Sequence, residues 1–314
     1  MSMNSNMLTQ ASSPKLHSDV EIVDVGPRDG LQSDAVTLPT AIKIELIQRL
    51  LDAGVRAVEV ASFVNPKRVP QMADAEAVVS GLSKRKDTRY IGLVLNRMGF
   101  DRALQAGCRD ISMVTSATDE FGVRNQGAST SESLAVWRAI APLARAAGMR
   151  AEVTISVAFG CPFSGEAPVQ QVVDIAQQIA REEPVAIVLA DTIGVATPKQ
   201  VTELFARVRA ATPTHIALRA HFHNTRNTAI ANAQAAFDAG VRSFDASVGG
   251  IGGCPFAPNA TGNVASEDLV YLFERSGCRT GIALDKMIAT SQWLGKLLNK
   301  AMPSMVARAG AWPR

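Results

Sequence analysis

His221 and His223 stand one residue apart in HFHNT, and on a β-strand that spacing puts both imidazoles on one face. Two such rings can grip one cation, or they can be ordinary satisfied polar side chains at a strand end. The pair accounts for half of the four histidines, and Asp29, Asp191 and Asn263 are candidates to reach the same place. Two neutral nitrogens with carboxylate and amide oxygens suit a divalent ion such as Mg2+ or Mn2+. The lack of a thiolate set argues against structural zinc. Arg28, beside Asp29, puts a guanidinium next to a candidate ligand; it is either a simple ion pair or a charge placed to hold a developing enolate oxygen. Glu59, near the end of the apolar AVEVASF, reads either as a structural partner for Arg28 or as an acid of the same site. Cys254 differs from Cys108, Cys161 and Cys278, which read as small buried hydrophobes. It lies in the glycine-rich GGIGGCP, where a mobile backbone could close over a ligand, so a catalytic or gating role is expected of it.

These residues act together only if the elements before them lie side by side. Short β-branched runs alternate with amphipathic stretches, with strands expected near Glu21–Val25, Ala57–Val60, Tyr90–Leu95, Asp110–Val114, Ala151–Val157, Val185–Leu189, Ile216–Phe222 and Ser243–Val248. Helical patterns lie between them, as in residues 40–53, where Ile44, Ile47, Leu50 and Leu51 share a face. DAGVRAVEV, QAGCRDISMV, RAAGMRAEVTI and DAGVRSFDAS reuse one device, a helix ended by Ala-Gly and followed by a strand. Eight such units demand a parallel sheet and favour its closure into a (β/α)8 TIM barrel over about residues 21–283. An open doubly wound sheet is the competitor, but no G-x-G-x-x-G follows the first strand. The candidate residues all fall at C-terminal strand ends, the functional face of such a barrel.

Residues 1–20 read as a loose polar tail. A further helix is expected over 284–299, giving the barrel an additional C-terminal helical segment; the last fourteen residues show no periodicity. Of 314 residues, 47% are apolar and 19% charged, enough for a large core and against disorder. A net charge of +3 points to no nucleic acid, and no apolar run approaches the roughly 18 residues of a membrane span. Without a secretory signal or a disulfide framework, a soluble cytoplasmic protein is the default. Lys67-Arg68 reads as solvated surface, with a contact to a phosphorylated cofactor left open by its place after the second strand.

VGPRDGLQ (25–32), SFVNPKRVPQMAD (62–74), FGCPFSG (159–165), DTIGVATP (191–198), HFHNT (221–225) and GGIGGCPFAPNATGNVASEDLVY (249–271) together resemble the 3-hydroxy-3-methylglutaryl-CoA lyase family of the DRE-TIM metallolyases, from about Val20 to Asn299. The resemblance implies a divalent cation on Asp29, His221, His223 and Asn263, an enolate-stabilising Arg28, and Cys254 as a proton-transfer or closing residue on a mobile loop. Glu59 and Asp191 match polar active-site positions, and which of His221, Asp191 and Cys254 moves which proton stays open. It further implies retro-Claisen cleavage of an acyl-CoA thioester into acetyl-CoA and a keto product, a place in leucine degradation, and a homodimer. Three segments depart from the family pattern. Ser33-Asp34-Ala35 replaces Asn-Glu-Lys, Val188-Leu189-Ala190 replaces Ser-Leu-Gly, and Asn224-Thr225-Arg226-Asn227 replaces Asp-Thr-Tyr-Gly. These changes point to the parent substrate or a related 3-hydroxyacyl-CoA with a different tail. The alternatives are a citramalyl-CoA-type lyase, an isopropylmalate- or homocitrate-type synthase, a pyruvate aldolase, and a barrel that binds acyl-CoA without turning it over.

Overall fold

Each expected β-branched run pairs with the next one in the chain, and the last pairs with the first. In the computed structural model, which describes residues 19–253 and 262–312, the strands are β1 (Glu21–Asp24), β2 (Ala57–Ser62), β3 (Arg89–Val94), β4 (Asp110–Ser116), β5 (Arg150–Ser156), β6 (Ala186–Asp191), β7 (Ala217–Phe222) and β8 (Ser243–Ala246). All neighbours are parallel and the sheet is a closed barrel in chain order; Val23 of β1 lies opposite Asp245 of β8. Parallel neighbours need crossovers, and these are helices: α1 (Thr40–Ala53), α2 (Ala75–Gly81), α3 (Arg97–Gln105), α4 (Asp119–Gln126) with α5 (Thr130–Ala146), α6 (Val169–Ala180), α7 (Pro198–Ala211) and α8 (Ala229–Asp238); α9 (Ser266–Arg275) follows the last strand. The four repeated segments do end their helices on left-handed glycines, at φ 112° for Gly54, 87° for Gly107, 67° for Gly148 and 96° for Gly240.

Strand alternation separates two cores. Outward residues such as Val58, Ile111, Ile155 and Leu189 pack with Leu46, Ile47 and Leu50 of α1 and the other helices in one continuous layer. Inside the barrel, Val23, Val25, Ala57 and Ile91 form a separate small cluster. The rest of the inner wall carries ions, Glu152, Arg219 and Asp245, all buried, with Asp245 in register beside Val23. Such an interior cannot be filled by apolar packing alone, and it leaves a cavity of about 470 Å3 open toward the C-terminal strand ends.

After the barrel, α10 (Leu284–Leu298) lies against α1, with Arg49 stacked 4.4 Å from the Trp293 ring. The aperiodic C-terminus contains a single short helix, α11 (Met305–Ala309), too brief to show a period. Ser304 Oγ caps it at Ala307 N (3.0 Å), while Asp268 of α9 accepts from Ser304 Oγ (2.9 Å) and Val306 N (2.8 Å). Trp312, in contrast, is exposed. Asp19 and Val20, at the end of the expected tail, are held: Asp19 pairs with Arg279 and Val20 is fully buried. No helix among the described residues is long and apolar enough to cross a membrane.

Candidate active site and metal centre

The chain leaves β1 through a single π-helical turn, Gly26–Gly30, in which the amides of Arg28, Asp29 and Gly30 all converge on the carbonyl of Val25, at 3.2, 2.7 and 3.1 Å. Such turns recur at functional sites because they re-aim side chains. Here the turn is pinned beneath by Asp24, which accepts from Gly26 N (2.9 Å) and from Ser266 Oγ (2.7 Å). Arg28 and Asp29 consequently stand side by side over the cavity. Arg28 Nη1 donates to Asp29 Oδ1 (2.7 Å), and its Nε donates to Glu59 Oε2 (2.6 Å), which stands in the middle of β2 because that strand runs on to Ser62. Glu59 is therefore the partner of Arg28 and a wall of the site at once.

Asp29, His221 and His223 each turn one donor atom toward a common point, with the three atoms within 4.8 Å of one another. Their carboxylate and two imidazoles suit a divalent cation of the Mg2+ or Mn2+ kind. His223 Nδ1 is buried with no hydrogen-bond partner among the described residues, which fits a nitrogen prepared for a ligand. Asn263 joins from the far end of the glycine-rich loop. Its Nδ2 donates to Asp29 Oδ2 (2.7 Å) and to Ile251 O (3.1 Å), so its carbonyl oxygen remains as a further donor atom. Gly252 makes this approach work: at φ 102°, a Cβ there would stand 2.6 Å from the Asn263 amide. Any side chain at 252 would drive the amide away.

Electrostatics separate the four groups. Burial works to raise the Asp29 carboxyl, but Arg28 and the two imidazoles overcome it and hold the group well below the usual carboxylate range. Burial, with smaller contributions from Asp245 and Asp29, pushes Glu59 up to about 7 despite Arg28. Burial and the neighbouring His221 bring His223 down to about 4, leaving it neutral, the form that ligates a metal. His221 moves the other way, because its bond to Asp245 outweighs burial. That bond, 3.1 Å from Nδ1 to Asp245 Oδ2, leaves Nε2 as the nitrogen available to the site.

Asp191 is not brought into this group. Its carboxylate turns away from the cavity and caps the β6–α7 loop, accepting from Val195 N (2.8 Å) and Ala196 N (3.0 Å). Cys254 lies outside the described residues. Arg68 does reach the cavity rim, as do Asn65, Asn96 and Asn125. Two of the three departing segments, 33–35 and 224–227, are also accounted for locally. Asp34 accepts from Val36 N (3.0 Å) and pairs with Lys300; Arg226 Nη1 donates to Gly194 O (2.9 Å); Asn224 Oδ1 caps α8 at Ala229 N (3.2 Å).

Sequence reading missed Glu267, whose carboxylate accepts from Gly249 N at 3.0 Å and so holds the start of the glycine-rich loop. Burial pushes its pKa from 4.5 up to about 8. The folded state thus takes up a proton that the unfolded chain releases near 4.5. The Glu267 contribution is fully present below that pH and is lost as pH rises toward 8. Glu267→Gln, which imitates the protonated acid, is expected to flatten the fall in denaturant stability between pH 5 and pH 8. An unchanged slope would place the proton elsewhere.

The HMGL-like family model matches residues 19–294. The chain is 44% identical to the (R)-citramalyl-CoA lyase of Chloroflexus aurantiacus, over 93% of this chain and 95% of that protein. It is 37% identical to the hydroxymethylglutaryl-CoA lyase YngG of Bacillus subtilis, over 91% and 95%. Among solved structures, an HMG-CoA lyase from Acinetobacter baumannii in complex with coenzyme A and 3-methylmalate superposes with a TM-score of 0.90 at 37% identity, covering 94% of this chain and 96% of that one. A match of this extent, on a barrel whose polar strand ends meet in one cavity, makes the chain a member of the HMGL-like family of DRE-TIM lyases, an enzyme acting on CoA esters.

Proposed function

We propose that the chain is a metal-dependent carbon–carbon lyase that splits 3-hydroxy-3-methylglutaryl-CoA into acetyl-CoA and acetoacetate. The observation that carries this reading is the convergence of Asp29, His221 and His223 beside the Arg28 guanidinium. Cleaving the C2–C3 bond requires loss of the C3 hydroxyl proton and a refuge for the thioester enolate until C2 is protonated. A divalent cation held by Asp29, His221, His223 and Asn263 would supply the first need by lowering the pKa of the hydroxyl, whose proton passes to a carboxylate or imidazole facing the cavity. Arg28 supplies the second, since its charge faces the cavity where the enolate oxygen develops and Glu59 fixes its fork. His221, tied to Asp245, acts as a ligand rather than as a free base. Asp191 acts on the loop after β6, steadying the cavity wall. Cys254 returns the proton to C2 from the glycine-rich loop; Cys254→Ser should slow turnover about 100-fold while Mn2+ affinity stays unchanged. Full activity in that variant would remove the thiol from the mechanism.

A second reading is favoured by the 44% identity to a citramalyl-CoA lyase and by the altered segments at 33–35, 188–190 and 224–227. In it the substrate is citramalyl-CoA, whose carboxylate sits directly on C3 and whose products are acetyl-CoA and pyruvate. Acetyl-CoA release from each thioester, measured with Mg2+, with Mn2+ and after EDTA, separates the two. Metal-dependent cleavage with the higher kcat/KM names the substrate. Cleavage of either one that survives EDTA would overturn the metal role.

A further inference from the structure

One buried ionic chain lines the same cavity and continues beyond the His221–Asp245 contact. Glu152 on β5, Arg219 on β7 and Asp245 on β8 face one another inside the barrel, 3%, 4% and 6% exposed. Arg219 Nη1 donates to Glu152 Oε2 at 2.9 Å and Nη2 donates to Glu152 Oε1, while Nε lies 2.8 Å from Asp245 Oδ1. The other Asp245 oxygen meets His221 Nδ1. Four side chains thus run without a break from the middle of the barrel to the cation site. Burying three charges is costly, and apolar residues line the same interior, with Val23 of β1 in register beside Asp245 of β8. Space filling therefore does not account for the ions, whereas geometry does: Glu152 holds both Nη atoms of the guanidinium fork, and Nε is left in ionic contact with Asp245 Oδ1, so the guanidinium has little room to swing.

We propose that Arg219, anchored by Glu152, is a positioning residue for the lyase. It turns Asp245 so that Oδ2 faces His221, which keeps the imidazole proton on Nδ1 and the Nε2 lone pair directed at the cation. The inference rests on the cation site of the proposed function. It also makes a prediction of opposite sign to simple electrostatics. Arg219 is a cation placed under a cation site, so by Coulomb's law alone its removal would tighten metal binding. As a positioning residue, its removal loosens binding, as loss of outer-sphere partners does by about 10- to 100-fold.

The test is Mn2+ titration calorimetry on the full chain and on Arg219→Gln, Asp245→Asn and the double variant, with 15N spectra of histidine-labelled protein to read the His221 tautomer. Arg219→Gln should bind Mn2+ about 10- to 100-fold more weakly. In Asp245→Asn, Arg219 captures the amide oxygen and the NH2 group turns to His221 Nδ1, which forces the proton onto Nε2 and removes the ligand. In the double variant that amide is free to turn its oxygen back to His221, so binding should recover about tenfold over Asp245→Asn. Equal or tighter binding by Arg219→Gln, or no recovery in the double variant, overturns the proposal. Should Arg219→Gln fail to fold, the near-isosteric Asp245→Asn decides: a His221 that keeps its Nδ1 proton there overturns it. Wild-type protein that takes up no Mn2+ overturns the cation-site reading instead, and the tautomer in wild type and Asp245→Asn still decides this one.

Discussion

Asp29→Ala will bind Mn2+ at least about 100-fold more weakly and release acetyl-CoA at least about 1000-fold more slowly, while its melting temperature stays close to wild type. The large effect follows from what meets at this carboxylate. Asp29 is a donor atom of the three-residue cluster, the partner of Arg28 and the acceptor for Asn263. Removing it deletes one ligand and lets a second, Asn263, turn away. The fold is spared because the π-helical turn is held by backbone bonds to Val25 and by Asp24, neither of which involves the Asp29 side chain. Titration calorimetry with Mn2+ and a coupled acetyl-CoA assay read the two losses separately. A variant that loses activity but binds Mn2+ normally would show that Asp29 acts through Arg28 and not as a ligand.

Arg28→Gln is expected to lower kcat by about 100- to 1000-fold with KM changed only a few-fold, because its charge is needed where the enolate oxygen gains negative charge. Binding of Mn2+ should persist, since the substitution removes a positive neighbour of the site. Glu59 sharpens this prediction. Burial already holds it near 7 while Arg28 lowers it, so without the guanidinium its pKa climbs further and it stays protonated at neutral pH. Arg28→Lys keeps a point charge but loses the fork shared by Glu59 and Asp29, and should recover only part of the rate. If kcat is unchanged in Arg28→Gln, the enolate is stabilised by other groups and the assignment of Arg28 fails.

The glycine-rich segment links these effects to the rest of the barrel. It begins at Gly249, held by Glu267 of α9, and returns to the barrel at Asn263, held by Asp29. Gly252 lets the two ends pass in close contact. The described ends of the segment are therefore held by Glu267 at Gly249 and by Asp29 at Asn263, so a change at Asp29 also releases the Asn263 amide.

The barrel and most of the candidate site were legible in the amino-acid order. Short β-branched runs between stretches of helical periodicity placed all eight strands, because each unit must bury a strand between its neighbours and under a helix. The positions of Arg28, Asp29, Glu59, His221 and His223 on or just after the strands, with Asn263 closing the loop after the eighth, then implied their meeting, since barrel closure brings those strands together. Which carboxylate serves which purpose became visible only in the folded chain. Asp191 shares a strand end with the others, yet its side chain turns to two loop amides, a choice of rotamer that sequence spacing does not carry. Glu152, Arg219 and Asp245 come from three separate strands, and a lone charge in an apolar run gives no partner by itself. Their alternation with Thr154, His221 and the inward face was the available signal, but the pairing depends on register and stagger across the closed sheet. Register is fixed by the sum of contacts around the whole barrel, so it belongs to the fold and not to any one segment.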